Sequence, residues 1–581
     1  MRRLLAVLLV LAVVPYFTGL GAASIWDANE AYYVETPREM LESGDYINPS
    51  FNYEPRFNKP VLSYWMVAGL YKVFGVSVSV QRLAIAGTAM LTIGGAFVIA
   101  RAASPYALAP LLATLGLAAG PRFFMFSRRI LVDMAMTAMM TLTLVFFVLA
   151  ERYPARRRLF LMLMYAAVGL GVLTKGPVAA IIPMLVFAAY LAVHRELRRV
   201  REMMIPAGVL IALAVAAPWY VALYLQHGWT YITEFFVGEN LGRYTATVGV
   251  QTRGPLFYLP VVLSDALPWS LFLPAVVVTW VRDRRRAARD GSVAMPDRLR
   301  SLLLLWIAVT VLFFSLSQTK QDLYIFPIVV AVAALGADWL ARVLDADFPG
   351  AVARRGALRS ERAGHDVPHQ GRWLTVTLLV LAAALVAAGA FVLYVFGAAQ
   401  TVYRVDGARL SGALALAGGL AVAVLAWRAR RAAVIGALAV FIAFNWVLAL
   451  RALPSFEQYK PVVPLSRVIQ REATRDDVIA HFDVALPSMV FYLQRHIDIW
   501  IDPAAFVQQI RSGKTVYAVL PAHRYEELKT QFEVPTCVIA RHATSDIRLR
   551  SILEMQPPPE VLLVTTRCGA AASAPPGSGL P

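Results

Sequence analysis

The sequence predicts a polytopic α-helical membrane protein with a small α/β domain at its C-terminal end. Of its 581 residues, 59% are hydrophobic and 16% are charged, against roughly 45–50% and 25% in an ordinary soluble domain. The hydrophobic residues form runs of about 20, the length at which a helix crosses a bilayer. After residue 453 the pattern changes to short alternating strands and helices, which is typical of an α/β domain. With a mean hydropathy of +0.59, a soluble enzyme, a disordered chain and a fibrous protein are excluded.

The apolar runs predict about 13 transmembrane helices in residues 1–453. We expect them near 4–23, 77–100, 104–121, 131–150, 159–174, 177–193, 204–224, 257–280, 301–317, 324–341, 373–397, 411–427 and 432–452. The first run is longer than the roughly 7–15 apolar residues of a signal peptide, so we expect an uncleaved helix rather than a removed leader.

The excess of basic residues gives a net charge of +18, and its placement predicts the orientation of the chain rather than a nucleic-acid partner. If the N-terminus is cytoplasmic, every strong arginine cluster falls in a cytoplasmic loop, as the positive-inside rule requires. These clusters are Arg101, 152–158, 195–201, 282–289, 342–372 and 428–431. The extracytoplasmic face then receives the loop 24–76, the loop 225–256 and the region from residue 454.

The C-terminal region 454–569 is expected to be an extracytoplasmic α/β domain. Strands are predicted at 478–482, 497–501 and 515–520, with helices near 464–474, 486–495 and 503–511. The tail 570–581 is rich in Ala, Ser, Pro and Gly and is expected to be disordered. The two cysteines, Cys537 and Cys568, would face an oxidising compartment, where a disulfide and two free thiols are both open.

The first outer loop contains the most informative polar residues. Asp27 and Glu30 are three positions apart, hence on one face of a helix, at the point where the first span leaves the bilayer. Carboxylates there could act as a general base or orient a sugar hydroxyl. Composition alone favours the simpler alternative, that they are solvated loop acids.

Further charged and hydroxyl residues recur at the same membrane face. Arg129 and Asp133 have the i,i+4 spacing of a helical ion pair. The other members of the set are Arg128, Lys175, Glu239, Lys320, Asp322 and Tyr324. A single basic side chain at this level often just extends to the lipid headgroups. Several loops converging on one face instead suggest a shared anionic ligand.

The residue types in this set suit a phosphate whose tail lies in lipid. Lys59, Lys175, Arg243 and Lys320 would supply positive charge and Tyr324 a hydroxyl. Cations stabilise a phosphate leaving group as a glycosidic bond breaks. The sequence has no Gly-rich phosphate loop and no histidines at metal-ligand spacing. These patterns therefore identify no particular cofactor, and a divalent cation between carboxylates stays open.

Motifs in a fixed order resemble those of the bacterial GT-C glycosyltransferases of the aminoarabinose transferase and protein mannosyltransferase superfamily. The first loop carries Asp27-x-x-Glu-x-x-Tyr, Arg38-Glu-Met-Leu-x-x-Gly-Asp and Lys59-Pro-x-Leu-x-Tyr-Trp. The likeness continues through Thr174-Lys-Gly-Pro, Glu239-Asn-Leu-Gly-Arg-Tyr, Leu267-Pro-Trp, Lys320 to Pro327 and Pro487-Ser-Met-Val-Phe-Tyr-Leu. The resemblance implies a GT-C fold and inverting transfer of a sugar from an undecaprenyl-phosphate or dolichyl-phosphate carrier.

The resemblance also implies roles for individual residues. Asp27 corresponds to the catalytic or acceptor-orienting aspartate of the superfamily, and Asp133 resembles its second carboxylate at the membrane face. Lys59, Arg243 and Tyr324 resemble the ligands of the donor phosphate, with Lys175 near the same pocket.

Three positions depart from the aminoarabinose transferases. Asn58 stands where they tend to carry a glutamate, Asn240 where they often have a histidine, and Lys320-Gln-Asp-Leu-Tyr replaces their Lys-Leu-Pro-x-Tyr. These departures concern the sugar, because an amine on the donor would favour the missing carboxylate, and they leave the carrier phosphate untouched.

We therefore expect an inner-membrane enzyme, monomeric and without a nucleic-acid partner, that transfers a sugar from a polyprenyl phosphate to lipid A or another outer-face glycan or lipid. A transporter is a rival interpretation, but transporters keep their polar groups near the bilayer midplane in repeated halves, and no repeat is visible here. A non-catalytic assembly protein, an oligosaccharide ligase that uses pyrophosphate-linked glycans and a protein O-mannosyltransferase-like enzyme also stay open.

Overall fold

The computed structural model describes residues 2–27, 29–245, 253–289, 295–346, 367–397, 403–544 and 549–568. A large helical bundle is followed by a five-stranded sheet with flanking helices. The tail 570–581, predicted to be disordered, lies outside the described residues, as does most of the arginine-rich stretch 342–372.

The bundle is built from helices that follow the apolar runs of the sequence. Its first part contains α1 (Arg2–Val13), α2 (Ala31–Ser43), α3 (Leu62–Phe74), α4 (Val78–Ala103), α5 (Ala109–Ala119), α6 (Pro121–Phe126), α7 (Leu131–Arg152), α8 (Arg157–Lys175), α9 (Val178–Val193) and α10 (Ile205–His227). Its second part contains α11 (Thr230–Thr233), α12 (Arg243–Thr245), α13 (Tyr258–Asp265), α14 (Leu273–Arg289), α15 (Met295–Ser315), α16 (Val329–Ala346), α17 (Val367–Gly397), α18 (Ala408–Arg428) and α19 (Arg430–Val447).

Within the described ranges, nine helices are long and apolar enough to cross a membrane. A tenth span is formed if α13 and the following helical segment, which meet at 113°, are counted together. Three shorter apolar helices, at Arg3–Tyr16, Ala109–Ala119 and Val178–Val193, account for the remaining predicted runs. The prediction of a polytopic helical membrane protein is confirmed.

Some threonine hydroxyls inside the apolar helices bond to their own helix. The hydroxyls of Thr92, Thr114 and Thr143 each donate to the backbone carbonyl four residues earlier, at 3.0, 2.9 and 3.0 Å. Such bonds let a threonine lie in an apolar setting without an unmet donor.

The two ends of the bundle carry different charge patterns. The first turn of α7 and the last turn of α8 meet at one end, where Asp133 and Lys175 lie. About 20 residues of helix, or about 30 Å, separate them from the other end. There Arg157 and Arg199 each approach the Glu151 carboxylate to 2.7 Å. The arginine clusters of these helices thus lie at the end remote from Lys175.

The first loop contains two short strands, β1 (Ser50–Phe51) and β2 (Glu54–Pro55). The other strands belong to the C-terminal sheet. Its strands are β3 (Val478–Phe482), β4 (Asp498–Trp500), β5 (Val516–Pro521), β6 (Cys537–Ala543) and β7 (Glu560–Thr565), in the spatial order β4-β3-β5-β7-β6. The pairs β3–β4 and β3–β5 are parallel, whereas β7 pairs antiparallel with both β5 and β6.

The C-terminal region also contains helices before and between these strands. They are α20 (Leu453–Ser455), α21 (Val462–Glu472), α22 (Met489–Leu493), α23 (Pro503–Ile510), α24 (Ala522–Leu528) and α25 (Leu549–Leu553). The three predicted strands and the three predicted helices are present, with bounds that agree to within three residues. Cys537 and Cys568, left open by the sequence, form a disulfide that ties the start of β6 to the end of the described chain.

The first loop packs between the bundle and the sheet. Between β1 and β2 the chain turns at Asn52, whose φ is 61°. The Asn52 side chain donates to the Ile497 carbonyl at 2.9 Å and accepts from the Ile497 amide at 2.9 Å. Phe51 packs into the apolar core under the sheet. The loop is therefore held in place by the C-terminal region as well as by the helices.

Candidate functional site

A cavity of about 880 Å³ opens at the end of the bundle where α7 and α8 meet. Its walls come from the first loop, the α7 and α8 ends, the segment 235–244 and the turn that precedes α16. The polar or charged residues on its walls are Asn29, Tyr32, Tyr33, Arg56, Asn58, Lys59, Asp133, Lys175, Glu239, Tyr244, Arg253, Ser317, Gln321, Asp322 and Tyr324. The remaining walls are apolar, with Ile130, Phe235, Phe236, Phe313 and Phe314 among them. Distant chain segments thus form one amphipathic chamber.

Lys175 and Asp133 form an ion pair across the chamber wall. Lys175 is the last residue of α8, and Asp133 lies in the first turn of α7. The helix dipoles favour this arrangement, because a cation is stabilised at a helix C-terminus and an anion at an N-terminus. The Lys175 Nζ also lies 5.3 Å from the centre of the Tyr324 ring. Three predicted site residues therefore contact one another.

The predicted i,i+4 pair between Arg129 and Asp133 does not form in the described structure. Ile130, which precedes α7, has an extended backbone with φ −123° and ψ 91°. Arg129 therefore does not share a helical face with Asp133, and its guanidinium lies 4.2 Å from the Trp26 ring centre instead. The prediction of this ion pair is wrong because the helix starts after Arg129.

A second ion pair joins Lys59 of the first loop to Glu239. The Lys59 Nζ lies 3.2 Å from the Glu239 carboxylate, with the side chains 23% and 18% exposed. The same ammonium donates to the Asn58 carbonyl at 2.9 Å. Glu239 belongs to the π-helical segment Glu234–Gly242, whose wide turns point residues into the chamber. The second outer loop is thereby tied to the first.

Two arginines in the chamber were not among the predicted site residues. The Arg56 guanidinium lies 3.9 Å from the Tyr32 ring centre and donates to the Tyr64 hydroxyl at 3.2 Å. Arg253 donates to the Lys320 carbonyl at 3.2 Å. Arg56 stands three residues before Lys59 in the same loop, and this closeness in sequence could have indicated it as a site residue. Arg253 has no such motif beside it.

Lys320 does not line the chamber. It is 7% exposed, and its Nζ donates to the Ser317 carbonyl at 2.6 Å beneath the wall. Its link to the chamber is its backbone carbonyl, which accepts a hydrogen bond from Arg253 on the chamber wall. The expected role of its ammonium in holding a ligand is therefore not supported by its position.

Arg243 opens α12, but its side chain lies outside the described residues. Its neighbours Leu241 and Tyr244 both line the chamber. The backbone thus places this position at the chamber, and its expected contact with a phosphate stays a prediction.

Glu30 holds the first loop in place rather than facing the chamber. Its carboxylate accepts from the Arg82 guanidinium at 2.7 and 2.9 Å and from the Trp26 amide at 2.8 Å. The carboxylate is fully buried. The prediction of Glu30 as a catalytic carboxylate is therefore corrected, because both of its oxygens are engaged in a buried ion pair.

Asp27 lies at the contact between the first loop and the sheet region, outside the chamber lining. Its Oδ1 accepts from the Ser488 amide at 2.8 Å. Burial raises the pKa of Asp27 to about 6, although the bonds from Ser488 and the charge of Lys460 act in the opposite direction. Asn29, two residues further along, lines the chamber. The structure places Asp27 beside the chamber, without contact to Asp133.

The part of the chain that the structure describes contains no group of three or more His, Cys, Asp and Glu side chains arranged to hold a metal ion. The chemistry available in the chamber is that of lysine and arginine cations, carboxylates and tyrosine hydroxyls.

Comparisons with known proteins agree with this architecture. A family model described as dolichyl-phosphate-mannose-protein mannosyltransferase matches residues 58–221. The fold is also that of the crystal structure of ArnT from Cupriavidus metallidurans bound to undecaprenyl phosphate, with a TM-score of 0.75, 22% identity and coverage of 98% of this chain and 99% of that one. The protein has the GT-C fold.

Curated relatives extend the likeness of this GT-C protein in sequence. The undecaprenyl phosphate-alpha-4-amino-4-deoxy-L-arabinose arabinosyl transferase 2 of Pseudomonas fluorescens is 30% identical over 341 residues, which is 58% of this chain and 55% of the relative. The corresponding transferase of Pseudomonas savastanoi is 32% identical over 348 residues, 58% of this chain and 62% of the relative. The match thus spans little more than half the length of these relatives. The predicted resemblance is confirmed, and the chain is a multi-pass membrane protein similar to the aminoarabinose transferases.

Proposed function

We propose that this protein is an inverting glycosyltransferase of the bacterial inner membrane, which moves a sugar from a polyprenyl phosphate to an acceptor on the outer face, such as lipid A or another glycan or lipid. The chamber then faces the periplasm, and the N-terminus and the arginine clusters face the cytoplasm. The 1–453 region would be the catalytic part and 454–569 a periplasmic domain. The Cys537–Cys568 disulfide supports this orientation, since disulfides persist in oxidising compartments.

The observation that carries the proposal is the set of ion pairs in an amphipathic chamber at one end of the helical bundle. Lys59 and Lys175 are each paired with a carboxylate. A phosphate on a lipid tail can take the place of these carboxylates, because charge-assisted bonds to phosphate are of the same kind. The polyprenyl tail would lie along the apolar walls. The ArnT crystal structure, which has the same fold, is bound to undecaprenyl phosphate and so supports the same ligand class.

The exchange of partners has a chemical consequence. When Lys175 turns to the donor phosphate, the Asp133 carboxylate is released beside the sugar. It can then accept the proton of the acceptor hydroxyl as that oxygen bonds to the anomeric carbon. The bond from the anomeric carbon to the phosphate oxygen breaks, and polyprenyl phosphate leaves with the electron pair. Lys59, Lys175, the Tyr324 hydroxyl and Arg243 would stabilise its growing charge.

Asp27 is proposed to act on the acceptor side of this reaction. It is followed at two residues by Asn29, which lines the chamber, and is preceded by Trp26, which lies under Arg129. A pKa of about 6 suits a group that exchanges a proton near neutral pH. We expect Asp27 to orient the acceptor rather than to touch the donor phosphate.

The chamber also bears on the choice of sugar. Asn58 lines it next to Lys59, at the position where the aminoarabinose transferases tend to carry a glutamate. An amide cannot pair with a donor amine as a carboxylate does. A test of the substrate therefore has to include neutral sugars as well as amino sugars.

The decisive experiment incubates the purified protein with a panel of polyprenyl-phosphate sugars and outer-membrane lipids and detects the products by mass spectrometry. The wild-type protein should consume one donor and release polyprenyl phosphate. Asp133→Asn should lower the turnover by about 10²–10⁴-fold, the usual loss of a general base, without loss of folded protein. The control is Asp476→Asn, an exposed acid of the sheet region. Equal turnover in the Asp133 and Asp476 variants would refute the proposed role of Asp133.

A further inference from the structure

A second groove, of about 430 Å³, lies behind the chamber. Its walls include Met125 and Phe126 of the α6 region, Leu267 at the bend after α13, and Phe444 of α19. A single residue, Ile130, lines both this groove and the chamber. The groove and the chamber are therefore neighbours, and Ile130, just before the start of α7, lies between them.

Arg129 is an unusual cation on the wall of this groove. Among the described residues, its guanidinium has no carboxylate partner and no hydrogen-bond acceptor, and its contact is with the face of Trp26 at 4.2 Å. The adjacent Arg128, by contrast, donates to three backbone carbonyls at the end of the first span. Burial lowers the pKa of Arg129, although the charge of Glu30 acts in the opposite direction, so the cation is partly desolvated and has no direct ion-pair partner among the described residues. A desolvated and unpaired cation favours an anionic ligand.

Arg122, the other arginine of the groove, is already paired. It approaches the Asp265 carboxylate to 3.1 Å and also bonds to Asp322, which lines the chamber. Its side chain is 38% exposed. Arg122 is therefore engaged by two carboxylates, and Arg129 is the arginine of this groove that has no carboxylate partner among the described residues.

We propose that this groove binds the phosphate of a lipid acceptor, with Arg129 against the phosphate and a hydrocarbon chain along Met125, Phe126 and Phe444. The inference rests on the proposed function and names the place of the second substrate. A lipid is favoured over a soluble anion because the groove is largely apolar apart from its two arginines and Ser264. Transfer between two lipids needs two lipid sites that open toward one set of reacting groups. Trp26 contacts Arg129 and Asn29 lines the chamber, so Asp27 is close in sequence to a residue on each side.

The test uses native mass spectrometry of the full-length protein with undecaprenyl phosphate and two probe lipids, dioleoyl phosphatidic acid and dioleoylglycerol. They share their chains and differ in the phosphate. The wild-type protein, with undecaprenyl phosphate bound, should take up phosphatidic acid about tenfold more tightly than dioleoylglycerol, as expected for a charge-assisted bond. Arg129→Gln should lose this preference and keep undecaprenyl phosphate. Arg129→Lys should retain part of it, because the charge remains without the planar fork.

The matched control is Arg409→Gln, an exposed arginine that bonds to the Phe396 carbonyl outside the groove, and it should behave as the wild type does. The inference is overturned if Arg129→Gln binds phosphatidic acid as tightly as the wild type, if it loses both lipids equally, or if phosphatidic acid displaces undecaprenyl phosphate from the wild type. The two lipids are also measured separately. A wild-type protein that never binds undecaprenyl phosphate contradicts the proposed function, whereas the phosphatidic acid preference tests the groove alone.

Discussion

The ion pair between Lys59 and Glu239 leads to a prediction with an unusual sign. If the donor phosphate takes the place of Glu239, Glu239→Gln should tighten the binding of undecaprenyl phosphate, whereas Lys59→Ala should weaken it. In the Lys59→Ala background, Glu239→Gln should tighten binding less than it does in the wild type, because the Lys59–Glu239 ion pair is then already absent.

The size of the effect follows from the geometry. At 3.2 Å and an effective dielectric constant of about 20, the attraction between the two charges is about 5 kcal/mol before desolvation. Each side chain is about a fifth exposed, and solvation and lost side-chain freedom reduce the net value to about 1–2 kcal/mol. Since about 1.4 kcal/mol corresponds to a factor of ten, we expect roughly tenfold tighter binding for Glu239→Gln.

The assay is titration calorimetry of the detergent-purified variants with undecaprenyl phosphate at fixed ionic strength. Glu526→Gln serves as the control, since Glu526 forms an exposed ion pair with Lys529 in the sheet region. If Glu239→Gln weakens binding as much as Lys59→Ala does, Glu239 positions the lysine rather than competing with the phosphate, and the exchange of partners is refuted.

Three further predictions concern stability. Glu30→Gln should lower the free energy of unfolding by about 3–5 kcal/mol, because it leaves the buried Arg82 without its counter-charge; an unchanged melting temperature would contradict this. Because burial raises the pKa of Asp27 from 3.8 to about 6, the folded protein holds this proton more tightly than the unfolded chain, so stability should fall as the pH rises through that interval. Thermal melts of Asp27→Asn between pH 4 and pH 7 should show a flatter dependence than the wild type. Replacing Cys537 and Cys568, 31 residues apart, by serine should cost about 3–4 kcal/mol from loop entropy, seen as earlier proteolysis of the sheet region.

The helical part was predictable because each apolar run can satisfy its backbone only as a helix in lipid. The sheet was predictable in part. β3 and β5 are buried apolar runs, whereas β6 includes Arg541 and His542 and a register shift between Val538 and Ala540. Such a strand has no clean alternation, and its partner β7 lies beyond a long connection. The sequence pattern therefore indicated three strands of the five.

The site was predictable to the extent that it lies at helix ends. Lys175 and Asp133 fall at the ends of adjacent predicted spans, so their convergence follows from the topology. The choice of Lys175 rather than Arg129 as the partner of Asp133 does not follow from the spacing, because the extended backbone of Ile130 starts α7 only after Arg129. Glu30 pairs with Arg82, which lies 52 residues away, and no local spacing indicates such a partner.

The two hydrogen bonds between Asn52 and the backbone of Ile497 affect which C-terminal regions of related proteins can replace this one in a chimera. Both of these bonds go to main-chain atoms, so the identity of the residue at position 497 does not matter to them, only the path of the chain. Chimeras that import a foreign C-terminal portion should therefore assemble when that path is preserved. Where the path of the chain at this position differs, the first loop has to be transferred together with the C-terminal region that it contacts.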